Sequence, residues 1–545
     1  MLLAWLFLLV LLVQSGYSRD IQQAKAHLHS ILNIIHQRYV FDDPYYMQLL
    51  YVSINIKEQS WDIVKLKFLL KILQEESFLM IFGGTSVTAG HDNYYYQSYP
   101  FVFERKLSLA FQHLGMSLLI HNIAQGGNDC LPSDLCYDIG GDQPDWISWE
   151  QSFNCGRDTQ IFELIARYAG FHNAVMFYMA SGGAGKECPP STDTLPAMNE
   201  TWIPSSETEY IPNQNTIHGF KESMNKHFEH GNAVGRFTSA LGGRYPGTAA
   251  HGKTESTGQN CSFLSGLAIW GEKDALCSRA RGEAPSGCVA ADLFQLFPCY
   301  SEGGPHYMTY EFSQQFANGV KSSHHPPIGQ HLLRGEFLAY LYGHILLDTI
   351  YTLEEDLSVG ASEATLIEKY KNKLISKQPP MPDPKCPHEI CAYRPYCYNN
   401  YQPHFEELYK LDSIILQPLE GWELRNFDLM GCGANLYGYA DCRYGFYAVS
   451  SDAVMHLKVT QNHDDASFMV CGSALNRLNF YLDYSTRFGR NNLDFGRLLE
   501  PKNWIKDCVK FEGIPAGNYV FSISTVSSES EAQRKAIRIT HFIHF

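Results

Sequence analysis

Apolar positions along the chain fall into two textures, and the change comes near Leu411. In the first texture, solid apolar runs alternate with helical stripes. Ala24, Leu28, Ile31, Leu32 and Ile35 recur at helical spacing, so residues 19–75 read as a mostly helical lead-in. The run from Ser77 to Phe82 is stopped by Gly83-Gly84, the pattern of a strand buried on both faces. From Phe103 onward, Leu107, Ala110, Phe111 and Leu114 form one helix face. "SLLIHN", "DWISWEQ" and "AVMFYM" predict a second, third and fourth strand, with a helix over Thr159 to Tyr168 between the last two. Strands alternating with helices predict a parallel sheet flanked by helices on both sides.

Residues 181 to about 255 break this rhythm. They are rich in Pro, Ser, Thr, Asn and Gly and read as an insertion. Order resumes with "CSFLSGLAIWG" and "VAADLFQLF", and a helix is predicted from Gln330 to about Thr352, with Leu333, Phe337, Leu341 and Ile345 on one face. A proline- and cysteine-rich stretch, most concentrated over 377–403, then separates the two textures. Beyond it, short alternating runs such as "HLKVTQN", "LNFYLDY" and "NYVFSIS" are divided by Gly, Asn and Ser turns, which predicts an all-β sandwich. The expected organisation is therefore 1–18, 19–75, an α/β unit over 76–355 with the insertion at 181–255, a linker over 356–411, and a β-sandwich domain over 412–545.

The chain has 545 residues, room for two to four domains. Its formal net charge of -15 argues against nucleic acid or an anionic membrane as a partner, since both require a basic face. "MLLAWLFLLVLLVQSGYSRD" reads as a secretory signal. Its apolar core from Leu2 to Val13 is short for a membrane span, and Gly16 and Ser18 are spaced for cleavage before Arg19. The other reading of this segment is an uncleaved anchor. A secreted or lumenal protein with no stable membrane span after cleavage is expected. Fifteen cysteines suit that compartment, and their odd number leaves at least one outside an internal pair. Cys386, Cys391 and Cys397 are too loosely spaced for a zinc knuckle, so disulfides are expected and no metal. Cys432, Cys442, Cys471 and Cys508 are candidates to staple the β region. Asn199 and Asn260 head Asn-x-Ser/Thr triplets and are candidate glycosylation sites.

The chemistry starts at "GGTSVTAG". In open parallel sheets, ligands bind beyond the carboxyl ends of the strands, and Ser86 follows the first such strand closely. A glycine pair there lets the backbone turn and a ligand approach. The G-x-S-x-G elbow is absent, because Thr88 stands where its second glycine belongs. The plain alternative is that Ser86 only caps the next helix. The second strand leads into "NIAQGGND" with Gly127, the third into "WEQSFN" with Asn154, and "SSHHPPIGQH" places His325 just before the long helix. A serine to attack, a histidine to take its proton, and glycine and asparagine amides to hold an oxyanion are what acyl transfer needs.

This order resembles the SGNH, or GDSL-type, hydrolases over roughly residues 76–355. The resemblance implies a flavodoxin-like sheet, Ser86 as nucleophile, His325 as general base, and an oxyanion hole from Gly127, Asn154 and the Ser86 amide. It implies no cofactor. Two positions depart from the family pattern: Thr85 replaces the Asp usually before the serine, and Ser322 stands where an Asp usually precedes the histidine by three residues. The implied function is a secreted serine esterase acting on a small-molecule or glycan ester, with glycan de-O-acetylation preferred. A non-catalytic binding protein on the same fold and a glycan O-acyltransferase are the alternatives. His324 and His331 are other candidate bases, although His331 falls inside the predicted helix. His91 and Asp92 are pocket or turn residues, Asp145 and Glu150 a candidate glycosidase pair, and Tyr94 to Tyr96 a sugar platform or core.

Overall fold

The computed structural model describes residues 19–39, 41–42, 47, 50–51, 54–90, 95–126, 130–151, 159–179, 209–227, 235–237, 328–377, 393–401, 407–427, 443–484, 497–501, 503–505, 507–526 and 530–545. The apolar segment before Arg19 lies outside them, as do both glycosylation candidates. Among the described residues, no helix is long and apolar enough to cross a membrane.

Helix α1 (Ile21–Arg38) begins at Asp20, whose carboxylate accepts from the Gln23 N–H at 2.9 Å. It buries Ala24, Leu28, Leu32 and Ile35, the stripe seen in the sequence. A short strand β1 (Ile54–Ile56) and helix α2 (Glu58–Gln74) follow. The central strands are β2 (Phe78–Gly84), β3 (Leu118–Asn122), β4 (Trp146–Glu150) and β5 (Val175–Met179). All four run parallel, in the order β5-β4-β2-β3. The one-turn helix α3 (Ser86–Ala89) and helix α4 (Tyr99–His113) connect β2 to β3, and α5 (Thr159–Phe171) precedes β5.

The stretch read as an insertion contains helix α6 (Gln214–His227) and strand β6 (Gly235–Phe237). Strand β6 extends the parallel sheet beside β5, and β1 from the lead-in closes that edge antiparallel to β6. The sheet therefore has six strands and mixed direction. Three-residue strands carry too few positions to show a period, which is why neither was visible in the sequence.

Helix α7 (Ile328–Ser358) is 31 residues long and packs against α1, α2 and α4. Leu333, Phe337, Leu341 and Ile345 are buried as expected, but so are Arg334, Glu336 and His344. A helix buried on nearly every side must pair its charged groups. Glu336 does so with Arg38 Nη1, with the Tyr39 hydroxyl at 2.7 Å and with Lys106 Nζ at 3.0 Å.

The expected linker is not featureless. It holds the end of α7, helix α8 (Glu363–Lys377) and strand β7 (Tyr396–Tyr401). Strand β7 joins a seven-stranded antiparallel sheet with β9 (Trp422–Asn426), β10 (Arg443–Ala448), β12 (Ala466–Ser473), β15 (Asn503–Ile505), β16 (Cys508–Ile514) and β18 (Arg538–His544). A five-stranded sheet of β8 (Ile415–Glu420), β11 (Val454–Gln461), β13 (Leu478–Tyr484), β14 (Arg497–Leu499) and β17 (Gly517–Thr525) faces it. Phe468, Phe480, Phe511, Phe521 and Phe542 fill the space between the sheets. Cys471 and Cys508 are bonded across β12 and β16, as two of the four candidate staples.

The back of the seven-stranded sheet, with Met469, Ile543 and Phe545, shares a core with the α/β layer. Cys136 and Cys397 are bonded across this junction. Beside them Arg394 pairs with Asp138 at 2.9 Å and with Asp142 at 2.5 Å, and Tyr409 donates to Asp142 at 2.9 Å.

Burial in the β region has a measurable consequence. His541 is 2% exposed. Burial first, and then Arg443 and Arg538, push its pKa down to about 3. The folded imidazole stays neutral where the unfolded one takes a proton. Its contribution is complete above the unfolded pKa of about 6.5 and is lost as pH falls toward 3, with a slope of about 1.4 kcal/mol per pH unit. Denaturant unfolding of His541→Gln is expected to show a pH slope shallower by roughly one proton between about pH 6 and 4. A slope identical to wild type would remove His541 from the acid response.

Candidate active site

Ser86 opens α3 and is half-buried. The turn around it is fixed from below by Glu150, the last residue of β4, which is fully buried. Glu150 Oε2 accepts from the Thr85 N–H at 3.0 Å, the Thr85 hydroxyl at 2.7 Å and the Thr88 hydroxyl at 3.0 Å. Thr88 gives its only hydroxyl proton to the carboxylate. The 2.8 Å contact between Thr88 Oγ1 and the Tyr99 hydroxyl therefore has Tyr99 as donor. Burial, and then the Glu150 charge, raise the Tyr99 pKa and keep that proton in place.

The glycine pair serves this packing rather than a free approach route. A Cβ on Gly84 would lie 2.5 Å from Thr88 Oγ1 and 2.9 Å from Glu150 Oε2, and one on Gly83 would lie 2.0 Å from the Tyr137 hydroxyl. Thr85, the departure from the family pattern, caps α3: its Oγ1 accepts from the Val87 N–H at 3.2 Å while donating to Glu150. Both amides flanking Ser86 are thereby engaged. Among the described residues, the Ser86 N–H has no acceptor.

The neighbouring strand ends converge on the same edge. Phe82 is in register with Asn122, the last residue of β3, and Gly84 with Glu150. Asn122 Nδ2 donates to the Thr88 carbonyl at 2.7 Å, and Gln151 Nε2 donates to the Gly84 carbonyl at 3.0 Å. The start of α7 reaches this edge through Tyr99, whose N–H donates to His331 Nδ1 at 3.2 Å and whose ring lies 6.0 Å from the Arg334 guanidinium. Burial lowers the Arg334 pKa, and the nearby Glu150 charge opposes that shift.

Of the sequence-predicted site residues, Ser86 is described. Gly127, Asn154 and His325 lie outside the described residues, as do Ser322, His324, His91, Asp92 and Tyr94. The described chain stops at Gln151, three residues before Asn154, and resumes at Ile328, three residues after His325. His331 is fully buried in α7 as an acceptor, the helix-residue reading.

Asp145 and Glu150 do not make a glycosidase pair. They flank β4 at opposite ends, roughly 17 Å apart at about 3.3 Å per residue, whereas such pairs sit about 5–9.5 Å apart. Asp145 instead faces Lys67 and Lys71, each at 3.5 Å. Tyr95 belongs to the core and donates to the Asn122 carbonyl at 2.8 Å, while Tyr96 is 60% exposed. Among the described residues, no cluster of His, Cys, Asp and Glu could hold a metal ion.

Sequence reasoning missed the Glu150 network with Thr85, Thr88, Tyr99 and Arg334. The available signal was a carboxylate closing an otherwise apolar strand.

No family model and no curated protein matches the chain. Solved structures similar to it include a two-domain esterase (CEX) active on acetylated mannans, co-crystallised with mannopentaose. The identity is 10%, 91% of this chain and 97% of that chain are covered, and the TM-score is 0.36. A second structure described as the same kind of esterase gives 9% identity, 87% and 92% coverage, and a TM-score of 0.34. Scores this low leave the surroundings of Ser86 to carry any reading of function.

Proposed function

We propose that this chain is a serine esterase of the SGNH type, with an O-acetyl group on a glycan as the preferred substrate. The observation that carries the reading is Ser86 itself. It stands on a tightly held turn at the carboxyl edge of a parallel sheet, with its own N–H uncommitted among the described residues. In the proposed reaction Ser86 Oγ attacks the acyl carbonyl while His325 takes its proton. The Ser86 and Gly127 N–H groups and the Asn154 amide hold the oxyanion. His325 returns the proton to the departing alcohol, then activates a water that releases the acyl group. Ser322, where the family has a carboxylate, leaves imidazole orientation to a weaker hydroxyl or a carbonyl. The glycan preference is a fold-level analogy: a β-sandwich beside a hydrolase layer is common in enzymes that act on carbohydrate. Acyl transfer to a sugar hydroxyl would use the same residues.

The test is to treat the purified protein with a fluorophosphonate and map the modified peptide, alongside acetate release from acetylated polysaccharides and an aryl acetate. Labelling at Ser86 together with acetate release is expected. Transfer of acetyl to an added sugar in place of free acetate would favour the transferase. Absence of both labelling and turnover would leave a binding protein.

A further inference from the structure

We infer that Glu150 is a positioning residue for Ser86: its carboxylate holds the backbone that carries the Ser86 side chain and N–H by pinning the residues on either side. The inference rests on the esterase reading and adds to it a residue that never touches substrate. Three donors converge on one carboxylate oxygen, all from Thr85 and Thr88, and they bracket the nucleophile in the chain. The Thr85 hydroxyl passes the constraint on to the Val87 N–H. With the flanking amides tied down, the Ser86 N–H keeps one orientation.

A buried negative charge beneath a developing oxyanion would oppose the reaction if it stood alone. Arg334 supplies the opposite charge. It is fully buried, is electrostatically coupled to Glu150, and lies against the Tyr99 ring. It also sits near the start of α7, nine residues after His325. Glu150 in turn stands four residues before Asn154. The same carboxylate thus links the turn bearing the nucleophile to the two chain segments that lead to the proposed base and the proposed oxyanion amide.

Three variants test this. Glu150→Gln keeps the shape and removes the charge. Thr85→Val keeps the shape and removes the hydroxyl. Thr85→Ser restores the hydroxyl. The readouts are kcat and KM for an aryl acetate, per mole of serine titrated by fluorophosphonate, together with melting temperature. Normalising to titrated serine removes any loss that comes only from unfolded protein. Glu150→Gln and Thr85→Val are expected to lower kcat about 100-fold with KM within about twofold, the usual result of a small misplacement of a reacting group. Thr85→Ser is expected to stay within about threefold of wild type. Should Glu150→Gln fail to fold, the two Thr85 variants decide. Wild-type kcat per titrated serine in Thr85→Val, even with a lowered melting temperature, overturns the positioning role alone. A wild-type protein that neither hydrolyses the ester nor takes the probe overturns the esterase reading, and this inference with it.

Discussion

Ser86→Ala is expected to leave about 10⁻⁴ to 10⁻⁶ of the wild-type kcat toward an aryl acetate, the scale of loss when a catalytic serine is removed from an acyl-transfer site. No second nucleophile is proposed, so nothing else should carry the covalent step. The substitution should fold normally. The side chain is only half-buried, and the bonds holding the turn come from Thr85 and Thr88 rather than from Ser86. Replacing serine by alanine also leaves the Ser86 backbone N–H in place. Any residual rate would then come from binding and the oxyanion donors alone. The measurement is a continuous hydrolysis assay on wild type and variant purified side by side, with matching melting temperatures. Equal rates would exclude Ser86 as nucleophile and turn attention to a non-catalytic role for the fold.

Glu336→Ala should be among the most destabilising single changes in the chain. It removes the carboxylate that pairs with Arg38 and Lys106 and accepts from Tyr39, in the middle of the helical layer. Arg38 is 2% exposed and would lose the Glu336 carboxylate that faces it. Breaking a buried ion pair from one side costs about 3–5 kcal/mol, because the remaining charge stays desolvated. Glu336→Gln should cost less, since an amide oxygen can still accept from Tyr39. Urea unfolding followed by circular dichroism would show this as a lower midpoint with an unchanged slope. A shift under about 1 kcal/mol would mean that water or a rearranged partner takes over from the carboxylate.

The legible parts of this chain were those whose burial is periodic. β2, β3, β4 and β5 are short apolar runs flanked by helical stripes, and that contrast signals a parallel sheet. The β-sandwich showed itself through alternation, as in β11, where His456, Lys458 and Thr460 face outward between buried Met455, Leu457 and Val459. Strand β7 gave no such signal. It buries Cys397, Asn399 and Asn400, so polarity does not report which positions face inward. Its place in the sheet depends on partners far along the chain, such as the pairing of Phe542 with Tyr398. At the site, Ser86 was visible because a serine after a glycine-stopped strand is chemically informative. Glu150 was singled out only as half of a glycosidase pair, and its role beneath Ser86 was not visible, because a carboxylate at a strand end ordinarily means only that the strand has reached water. Its three donors come from Thr85 and Thr88, more than sixty residues earlier.

The bond between Cys136 and Cys397 closes a stretch of sequence separation 261 into a covalent ring. The ring takes in β4, β5, the residues of the expected insertion, His325 and all of α7. A protease that cuts once anywhere inside it opens the ring but releases no fragment. Such a nicked molecule would keep its full mass under non-reducing electrophoresis and separate into two pieces only after a reductant is added.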